Sequence, residues 1–363
     1  MLKCSVVILN WNGEQTLRQF LPSVLEHTQL PDVEIVVADN GSTDASLDYL
    51  RTQPVRIIEL DKNYGFAEGY NCAIAQVDSE YVVLLNSDVE VTPHWLETML
   101  QYMNAHPSTL AMQPKVLSWH SKQQFDRGEV SAIRFEHAGA AGGMMDMLGY
   151  PFCRGRLMSH VEEDHGQYDT IAPIFWATGA CLLVRTRVYK DLGGLDANFF
   201  AHQEEIDFCW RLHTYSEAYS NSQSEATTAL QSYPIVYLPA AVVYHVGGAT
   251  LGYENPRKTF LNFRNNLLML YKNLPAAELR GVMRVRAVLD YVAAFKFLLT
   301  GAWGDFKAVI RARREYKRMR GEYRSVREQN LAAAVVSSIK ERSTFSLLWQ
   351  YYFKQKKFFS QLK

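Results

Sequence analysis

The sequence predicts an α/β fold built on a doubly wound, mostly parallel sheet. Residues 5–9, 34–38 and 81–85 are short apolar runs rich in strand-forming residues, and each is too short for a typical helix. Segments with helical periodicity lie between them, as at residues 14–27. A strand, a helix and a second strand at this spacing form a right-handed parallel βαβ unit, and the unit repeats along the first third of the chain.

The predicted elements follow one another closely up to residue 117. In chain order they are a strand at 5–9, a helix at 14–27, a strand at 34–38, a helix from about Asp44, a weak strand at 55–60, a short helix after 63–71, a strand at 81–86, a helix at 94–105 and a strand at 110–117. Thr92 and Pro93 are typical of a helix start, with Thr92 as the cap and Pro93 as the first helical residue.

Polar residues follow the central strand, which ends in Asn86, Ser87 and Asp88. Open α/β sheets bind ligands at the carboxyl ends of their strands. Asp88, with a polar residue two positions before it, has the oxygen ligands that a divalent cation prefers. Asp88 taken alone fits a turn or a helix cap equally well.

The ends of the first two strands are also polar, at Asn10, Asn12, Asp39 and Asn40. The first turn lacks the Gly-x-Gly-x-x-Gly pattern that a dinucleotide pyrophosphate requires, which disfavours a dehydrogenase. Asp39 has the chemistry to accept a hydrogen bond from a base N–H or a ribose hydroxyl. A turn or capping role explains Asp39 as well.

The second half of the chain begins irregularly. Residues 119–173 lose clear periodicity, and their glycine and aromatic content favours an ordered, substrate-facing insertion over a loose loop. Residues 175–184 are typical of a buried strand, interrupted at Gly179, where a ligand or another backbone can approach closely.

Three acids lie within four residues, at Glu204, Glu205 and Asp207, on a segment whose apolar positions suit a buried helix. Acids among apolar groups are candidates for a raised pKa and for general-base chemistry, although acids at a helix start also offset the helix dipole. Asp207 can pair with Arg211 one turn later. His245, which precedes two glycines, fits a structural histidine or a contact to metal or phosphate.

Charge is distributed unevenly over a chain whose net charge is zero. Residues 1–253 carry 15 Lys and Arg against 30 Asp and Glu, and residues 254–363 carry 23 against 8. The five cysteines are widely spaced without a Cys-x-x-Cys pair, so we expect reduced thiols rather than a disulfide framework or a zinc site. The N-terminus runs directly into a strand, so no signal peptide is expected.

The basic C-terminal part allows two interpretations. Residues 282–303 are apolar but contain four charged residues, which argues against a membrane span. Residues 307–327 form a basic helix, and residues 347–359 mix aromatic side chains with lysines, a combination suited to the interface of an anionic membrane. The alternative is a helical bundle packed on the rest of the chain. No recognised motif supports nucleic-acid binding.

These motifs together resemble inverting family 2 glycosyltransferases of the GT-A fold, especially their bacterial rhamnosyltransferase-like branch. The resemblance covers about residues 4–274. It rests on nine motifs in the same order, at residues 5–13, 39–44, 63–71, 84–88, 178–180, 193–200, 204–207, 245–248 and 263–266.

The resemblance implies a role for each motif. Asp39 would contact the donor base, with Asn10, Asn12, Asn40, Gly65, Asn71, Asn86, Ser87 and Gly179 completing the donor site, and Asp88 and His245 would hold Mn²⁺ or Mg²⁺. A Glu-Asp pair supplies the catalytic base in that family, which corresponds to Glu204 and Glu205 here. Glu205 replaces the expected Asp, so Glu204 and Asp207 remain alternatives, and Asn86 leaves Asp88 as the only carboxylate of the metal motif.

The resemblance also implies an organisation and a function. Residues 1–253 would form the catalytic domain, with a nucleotide-sugar half at about 1–118 and an acceptor half at about 119–253, and residues 254–363 a helical, basic extension. The protein would transfer a hexosyl or deoxyhexosyl group to a glycan or lipid-linked acceptor in cell-surface polysaccharide biosynthesis, in the cytoplasm and peripherally on the inner face of the cell membrane. The alternative is a non-catalytic nucleotide-sugar-binding or scaffold protein of the same fold.

Overall fold

The computed structural model describes residues 2–223, 233–247, 255–334, 336 and 338–362. In these residues the strands are β1 (Leu2–Asn10), β2 (Val33–Asp39), β3 (Arg56–Glu59), β4 (Ser79–Asn86), β5 (Val89–Val91), β6 (Ala111–Ser118), β7 (Gly143–Met145), β8 (Pro151–Cys153), β9 (Arg156–Leu157), β10 (His160–Val161), β11 (Ala172–Pro173), β12 (Cys181–Arg185) and β13 (Ile235–His245).

The helices lie between and after these strands. They are α1 (Glu14–His27), α2 (Ser46–Leu50), α3 (Gly65–Ile74), α4 (Trp95–Ala105), α5 (Trp119–Asp126), α6 (Thr186–Asp191), α7 (Glu204–Gln223), α8 (Pro256–Asn273), α9 (Ala276–Leu299), α10 (Trp303–Met319) and α11 (Arg324–Ala333), with 3-10 turns at Ala197–Phe199 and Phe359–Leu362 and a π-helical turn at Trp349–Phe353.

A nine-stranded mixed sheet forms the centre of the fold. Its order is β11-β13-β6-β12-β4-β1-β2-β3, and β5 pairs with β13. The strands β4, β1, β2 and β3 are parallel, as the βαβ prediction requires, whereas β12 inserts antiparallel between β4 and β6. A second sheet has the order β10-β9-β8-β7. The predicted mostly parallel sheet is confirmed for its first half.

Alternate residues of the central strands fill two apolar cores. Val7 and Leu84 belong to the core on one face of the large sheet, and Ile8 and Leu85 belong to the other. A strand that is buried on both faces is apolar throughout, which explains the continuous hydrophobic runs in the sequence. The functional surface is therefore left to the strand ends.

Two local predictions were wrong. Helix α4 begins at Trp95 after His94, so Pro93 is not its first residue, and the Thr92 hydroxyl instead donates to the Val242 carbonyl at 2.7 Å. The strand expected at 175–184 starts only at Cys181, because the preceding residues turn beneath the second sheet. Residues 119–173 contain α5 and the second sheet, so this region is ordered.

The C-terminal helices pack on the rest of the chain. Lys272 on α8 contacts Asp196 at 2.6 Å and Asp207 at 2.8 Å, and Tyr323 before α11 donates to Asp196 at 3.0 Å. Among the described helices none is long and apolar enough to cross a membrane. The predicted domain division at residues 253 and 254 falls next to residues outside the described part and stays a prediction. All five cysteines are free, and four of them are buried.

Candidate active site

Parallel register brings the polar strand ends to one edge of the large sheet. Asn10 lies opposite Asp39, and Leu9 lies opposite Asn86, so β1, β2 and β4 end side by side. We call this edge the carboxyl edge. It is the position at which open α/β sheets bind ligands, as the sequence predicted.

A hydrogen-bonded cluster fixes the ends of β1 and β2. Asn10 Nδ2 donates to Asp39 Oδ1 at 2.9 Å, and the backbone N–H of Ser42 donates to Asp39 Oδ2 at 2.9 Å. Asn12 Oδ1 accepts from the Thr43 backbone at 2.7 Å. The buried Asn10 Oδ1 has no hydrogen-bond partner in the described structure, and it faces Gly13, where an added Cβ would lie 2.5 Å away.

Asn40, Gly65 and Asn71 order the segments beside this cluster. Asn40 Nδ2 donates to the Gly65 carbonyl at 3.0 Å, and Gly65 has a φ of +80° with the Phe200 ring where a Cβ would lie. Asn71 Oδ1 accepts from Leu195 N at 2.9 Å, and its Nδ2 donates to the Leu195 carbonyl at 2.8 Å. These three residues therefore hold turns of the protein, and their predicted contacts to a donor stay predictions.

The metal motif lies in the turn between β4 and β5. Asp88 is buried there and Ser87 is half-buried. His245, the last residue of β13, places Nε2 3.2 Å from Asp88 Oδ1 and 3.3 Å from Asn86 Nδ2. Its Nδ1 lies 3.7 Å from Glu136 Oε2. Side chains that are 157 positions apart in sequence thus form one polar cluster, and Glu136 is a member that the sequence analysis missed.

Charge at this cluster is balanced by the imidazole. Burial alone lowers the pKa of His245, but the carboxylates of Asp88 and Glu136 outweigh it and raise the pKa to about 10. Burial raises the pKa of Asp88, and the charge of His245 outweighs it, so the net shift is downward. These two carboxylates therefore favour the protonated imidazole, and His245 would have to give up that proton to bind a cation.

The donor set fits a divalent cation that is shared with a substrate. Asp88 offers a carboxylate oxygen and His245 an imidazole nitrogen, which are accepted ligands of Mn²⁺. In the described residues no three His, Cys, Asp or Glu side chains are grouped to hold a metal alone. Cations that bind with substrate phosphates need only one or two protein ligands, so this smaller set is consistent with such a site.

The turn at Gly179 connects the metal motif to helix α7. The Asn86 backbone donates to the Ala180 carbonyl at 3.0 Å. An added Cβ at Gly179 would lie 3.1 Å from the Phe66 ring and 3.8 Å from Glu205 Cβ. The close approach predicted at Gly179 is thus made by protein side chains, and it brings Glu205 to the same turn as Asn86.

The three acids of α7 have different surroundings. Asp207 is fully buried and accepts from Arg211 Nε at 3.0 Å, Lys272 Nζ at 2.8 Å and Asn273 Nδ2 at 2.8 Å. Burial raises its pKa, but Lys272 and Arg211 outweigh it and lower the pKa. Asp207 is therefore a charged anchor between α7 and α8.

Glu204 and Glu205 have no such partners. Burial and the neighbouring Glu205 raise the pKa of Glu204 well above its ordinary value. Burial raises the pKa of Glu205 to about 7, and hydrogen bonds from its own backbone and that of Ile206 offset only part of the shift. The Oε2 atom of each is buried without a hydrogen-bond partner in the described structure. Glu204 is the more buried of the two.

The segment before α7 is held in an unusual conformation. Phe200, His202 and Gln203 have φ values of 65°, 70° and 73°, a region that non-glycine residues rarely adopt. Asn265 Nδ2 on α8 donates to the carbonyls of Phe199, Ala201 and His202 at 2.8–2.9 Å. Such strain persists where surrounding contacts impose it and is common at functional sites. Asn265 thus sets where Glu204 and Glu205 begin the helix.

Comparison with known proteins agrees with this geometry. Residues 5–148 match the model for glycosyl transferase family 2. The match assigns a family 2 glycosyltransferase domain to this part of the chain. An N-acetylglucosaminyl-diphospho-decaprenol L-rhamnosyltransferase of Mycobacterium tuberculosis is 27% identical to this chain over 220 residues, which are 57% of this chain and 69% of the relative.

Two further comparisons set the extent of the similarity. The uncharacterized protein y4gI of Sinorhizobium fredii is 26% identical over 282 residues, and the match spans 72% of this chain but only 26% of y4gI. The structure of GalNAc-T7 with UDP, GalNAc and Mn²⁺ superposes with a TM-score of 0.52 at 14% identity, covering 75% of this chain and 48% of that one. The GT-A fold is thereby confirmed.

Proposed function

We propose that this protein is an inverting glycosyltransferase that moves a sugar from a nucleotide-diphospho-sugar to a hydroxyl of a glycan or lipid-linked acceptor in polysaccharide biosynthesis. One observation carries the proposal. Asn86, two residues before Asp88 of the Asp88–His245 pair, donates its backbone N–H to Ala180, and Glu205 lies against the adjacent Gly179 with an Oε2 that has no hydrogen-bond partner in the described structure. The relatives support the choice of donor and acceptor, since one is named for transferring rhamnose to a diphospho-decaprenol-linked sugar.

The donor site is proposed on the N-terminal half of the carboxyl edge. Asp39 and Asn10 are fixed at the ends of β2 and β1, the position at the carboxyl edge where a nucleoside would bind. Asp88 and His245 would hold Mn²⁺ or Mg²⁺ together with the donor diphosphate. When bound, the cation offsets the negative charge that develops on the leaving diphosphate.

Glu205 is the proposed general base. The acceptor oxygen forms a bond to C1 of the sugar while the bond from C1 to the diphosphate oxygen breaks, and the leaving diphosphate takes the electron pair. The acceptor proton passes to Glu205. Attack opposite the leaving group inverts C1. A base with a pKa near 7 suits this step at neutral pH, whereas Asp207 is already bonded to three cationic or amide donors.

Association with an anionic membrane surface is part of the proposal. A lipid-linked acceptor confines the reaction to a membrane surface, and residues 254–363 carry the basic excess of the chain. The protein would then act peripherally on the inner face of the cell membrane.

A donor panel tests the proposed activity. UDP-, GDP- and dTDP-sugars are added with Mn²⁺ or Mg²⁺, and both the melting temperature and transfer to a lipid-linked acceptor are measured. A bound donor should raise the melting temperature only with the cation, because binding to the folded state stabilises it by mass action. Stabilisation without transfer would favour the scaffold alternative. No stabilisation by any donor would contradict both functions.

A further inference from the structure

Helix α9 has one face that packs on the protein and an apolar face that is not covered. Its buried positions are Val282, Arg286, Asp290 and Ala294, which recur every four residues and face the protein. At 100° per residue the opposite side of the helix carries a second apolar stripe. That stripe consists of Val285, Val288, Tyr291, Val292, Phe295 and Leu299.

The second stripe is open to solvent over about four turns of helix. Val288, Phe295 and Leu299 are 63%, 57% and 72% exposed, and Trp303, just after the helix, is 60% exposed. Single exposed apolar residues are ordinary, but a continuous row marks a surface that contacts another apolar phase. We call this row with Trp303 the α9 stripe.

Cations border the α9 stripe on both sides. Helical geometry places Arg284 one turn before Val288, and it places Lys296 one turn after Val292. Both cations are exposed. An apolar row between two cationic borders is typical of a helix that lies in the interface of an anionic lipid layer, with tyrosine and tryptophan at headgroup level.

The neighbouring helix extends the positive surface. Asp290 of α9 is buried between Arg286 and Arg313, which joins α9 to α10. Helix α10 and the residue after it expose a further six cations, whereas the acids between residues 279 and 320 are buried or half-buried. Those six are Lys307, Arg311, Arg314, Lys317, Arg318 and Arg320.

We propose that the α9 stripe and its cationic borders are the surface by which this protein docks on an anionic lipid layer. A second copy of the chain would bring like charges together across the same face, which disfavours self-association there. This inference deepens the membrane contact proposed above, because it assigns the apolar part of that contact to α9, beside the basic residues 307–327 that the sequence suggested.

Vesicle flotation of the full chain tests the docking surface. Vesicles of phosphatidylcholine mixed with phosphatidylglycerol should carry the protein, and pure phosphatidylcholine should carry far less. Replacing Val288→Asp together with Phe295→Asp should lower partitioning by about tenfold or more, because both side chains leave water on docking. Replacing Arg284→Gln together with Lys296→Gln should lower partitioning only on the anionic vesicles, by about tenfold.

A matched control variant distinguishes docking through the α9 stripe from nonspecific hydrophobic adsorption to vesicles. Phe125→Asp together with Ile171→Asp changes two comparably exposed apolar residues outside α9 and should leave partitioning unchanged. Equal partitioning of the Val288 and Phe295 variant, or equal binding to neutral vesicles, would overturn the proposal. So would a dimer in vesicle-free solution that the same variant dissociates. Flotation uses no sugar nucleotide, so its result is independent of whether transfer is observed.

Discussion

The two acidic regions of the site both contain buried or half-buried carboxyl groups, but their surroundings shift the pKa values of these groups in opposite directions. At the β4–β5 turn, Asp88 is buried against His245 and its pKa is lowered. At the start of α7, Glu205 is enclosed without a cationic partner and its pKa is raised to about 7. The comparison shows that a nearby cation decides which carboxylate keeps its charge and which can take a proton.

The contrast repeats within a single helical turn. Asp207 lies two residues from Glu205, yet Lys272 and Arg211 keep it charged. Successive positions on a helix point in different directions, so Glu205 faces the Gly179 turn while Asp207 faces α8. Proximity in sequence therefore says little about the role of each acid.

Glu205→Gln should have the largest effect on transfer. Removing a general base lowers kcat by about 10²- to 10⁴-fold, whereas donor binding with Mn²⁺ should survive because the proposed donor site lies at the strand ends. Steady-state kinetics and donor-induced thermal shifts measure the two effects separately.

The pH profile gives an independent check on Glu205. The base must be ionised, so kcat/KM of the unmodified protein should fall as the pH drops below about 7. Full transfer by Glu205→Gln, or a pH profile of kcat/KM that is flat through pH 7, would show that Glu205 is not the general base. The contrast drawn between Glu205 and Asp88 would then not hold.

Asp207→Asn should mainly lower stability. The substitution leaves Lys272 and Arg211 buried without their shared carboxylate, which costs about 3–5 kcal/mol. Urea unfolding at pH 7 measures this loss. A stable Asp207→Asn protein with no transfer would instead point to Asp207 as a catalytic residue.

Asp88→Asn should weaken cation-dependent donor binding by about tenfold to a hundredfold, because one ligand of the proposed metal site is lost. Titration of the donor with and without Mn²⁺ measures the change. Asp61→Asn is the matched control, since Asp61 is an exposed acid away from the cluster. Unaltered cation dependence in Asp88→Asn would argue against a metal at this turn.

The smallest effect should be a gain in stability. The raised pKa of Glu205 means that its contribution to stability is present below its ordinary pKa of about 4.5 and is lost as the pH rises through about 7. Glutamine stays neutral, so Glu205→Gln should be more stable than the unmodified protein at pH 8, by about 1–3 kcal/mol. The advantage should shrink toward pH 5. Equal unfolding curves at both pH values would show that Glu205 is not held in a proton-retaining environment.

Much of the fold was readable from the sequence. The apolar runs at 5–9, 34–38 and 81–85 gave the first parallel strands, and helix α1 has the predicted bounds, because short-range patterns determine these elements. The antiparallel insertion of β12 beside β4 was not predicted, because the sequence of a strand does not show which distant strand it will pair with. Thr92 was misread for the same reason, because its hydrogen-bond partner, Val242, lies 150 positions away.

The sequence by itself determined which chemical groups the site contains: the polar strand ends, the acids after Gln203 and the histidine before two glycines. Only the tertiary structure decided their roles, because pKa, pairing and exposure depend on neighbours that the fold supplies. In the folded protein Glu136 lies beside His245, and Lys272 forms an ion pair with Asp207. Asn265 hydrogen-bonds the segment that precedes α7. Likewise, the sequence supplied the apolar residues of α9, but the burial of Asp290 against Arg313 of α10 decided which face of the helix packs on the protein and which apolar face remains exposed.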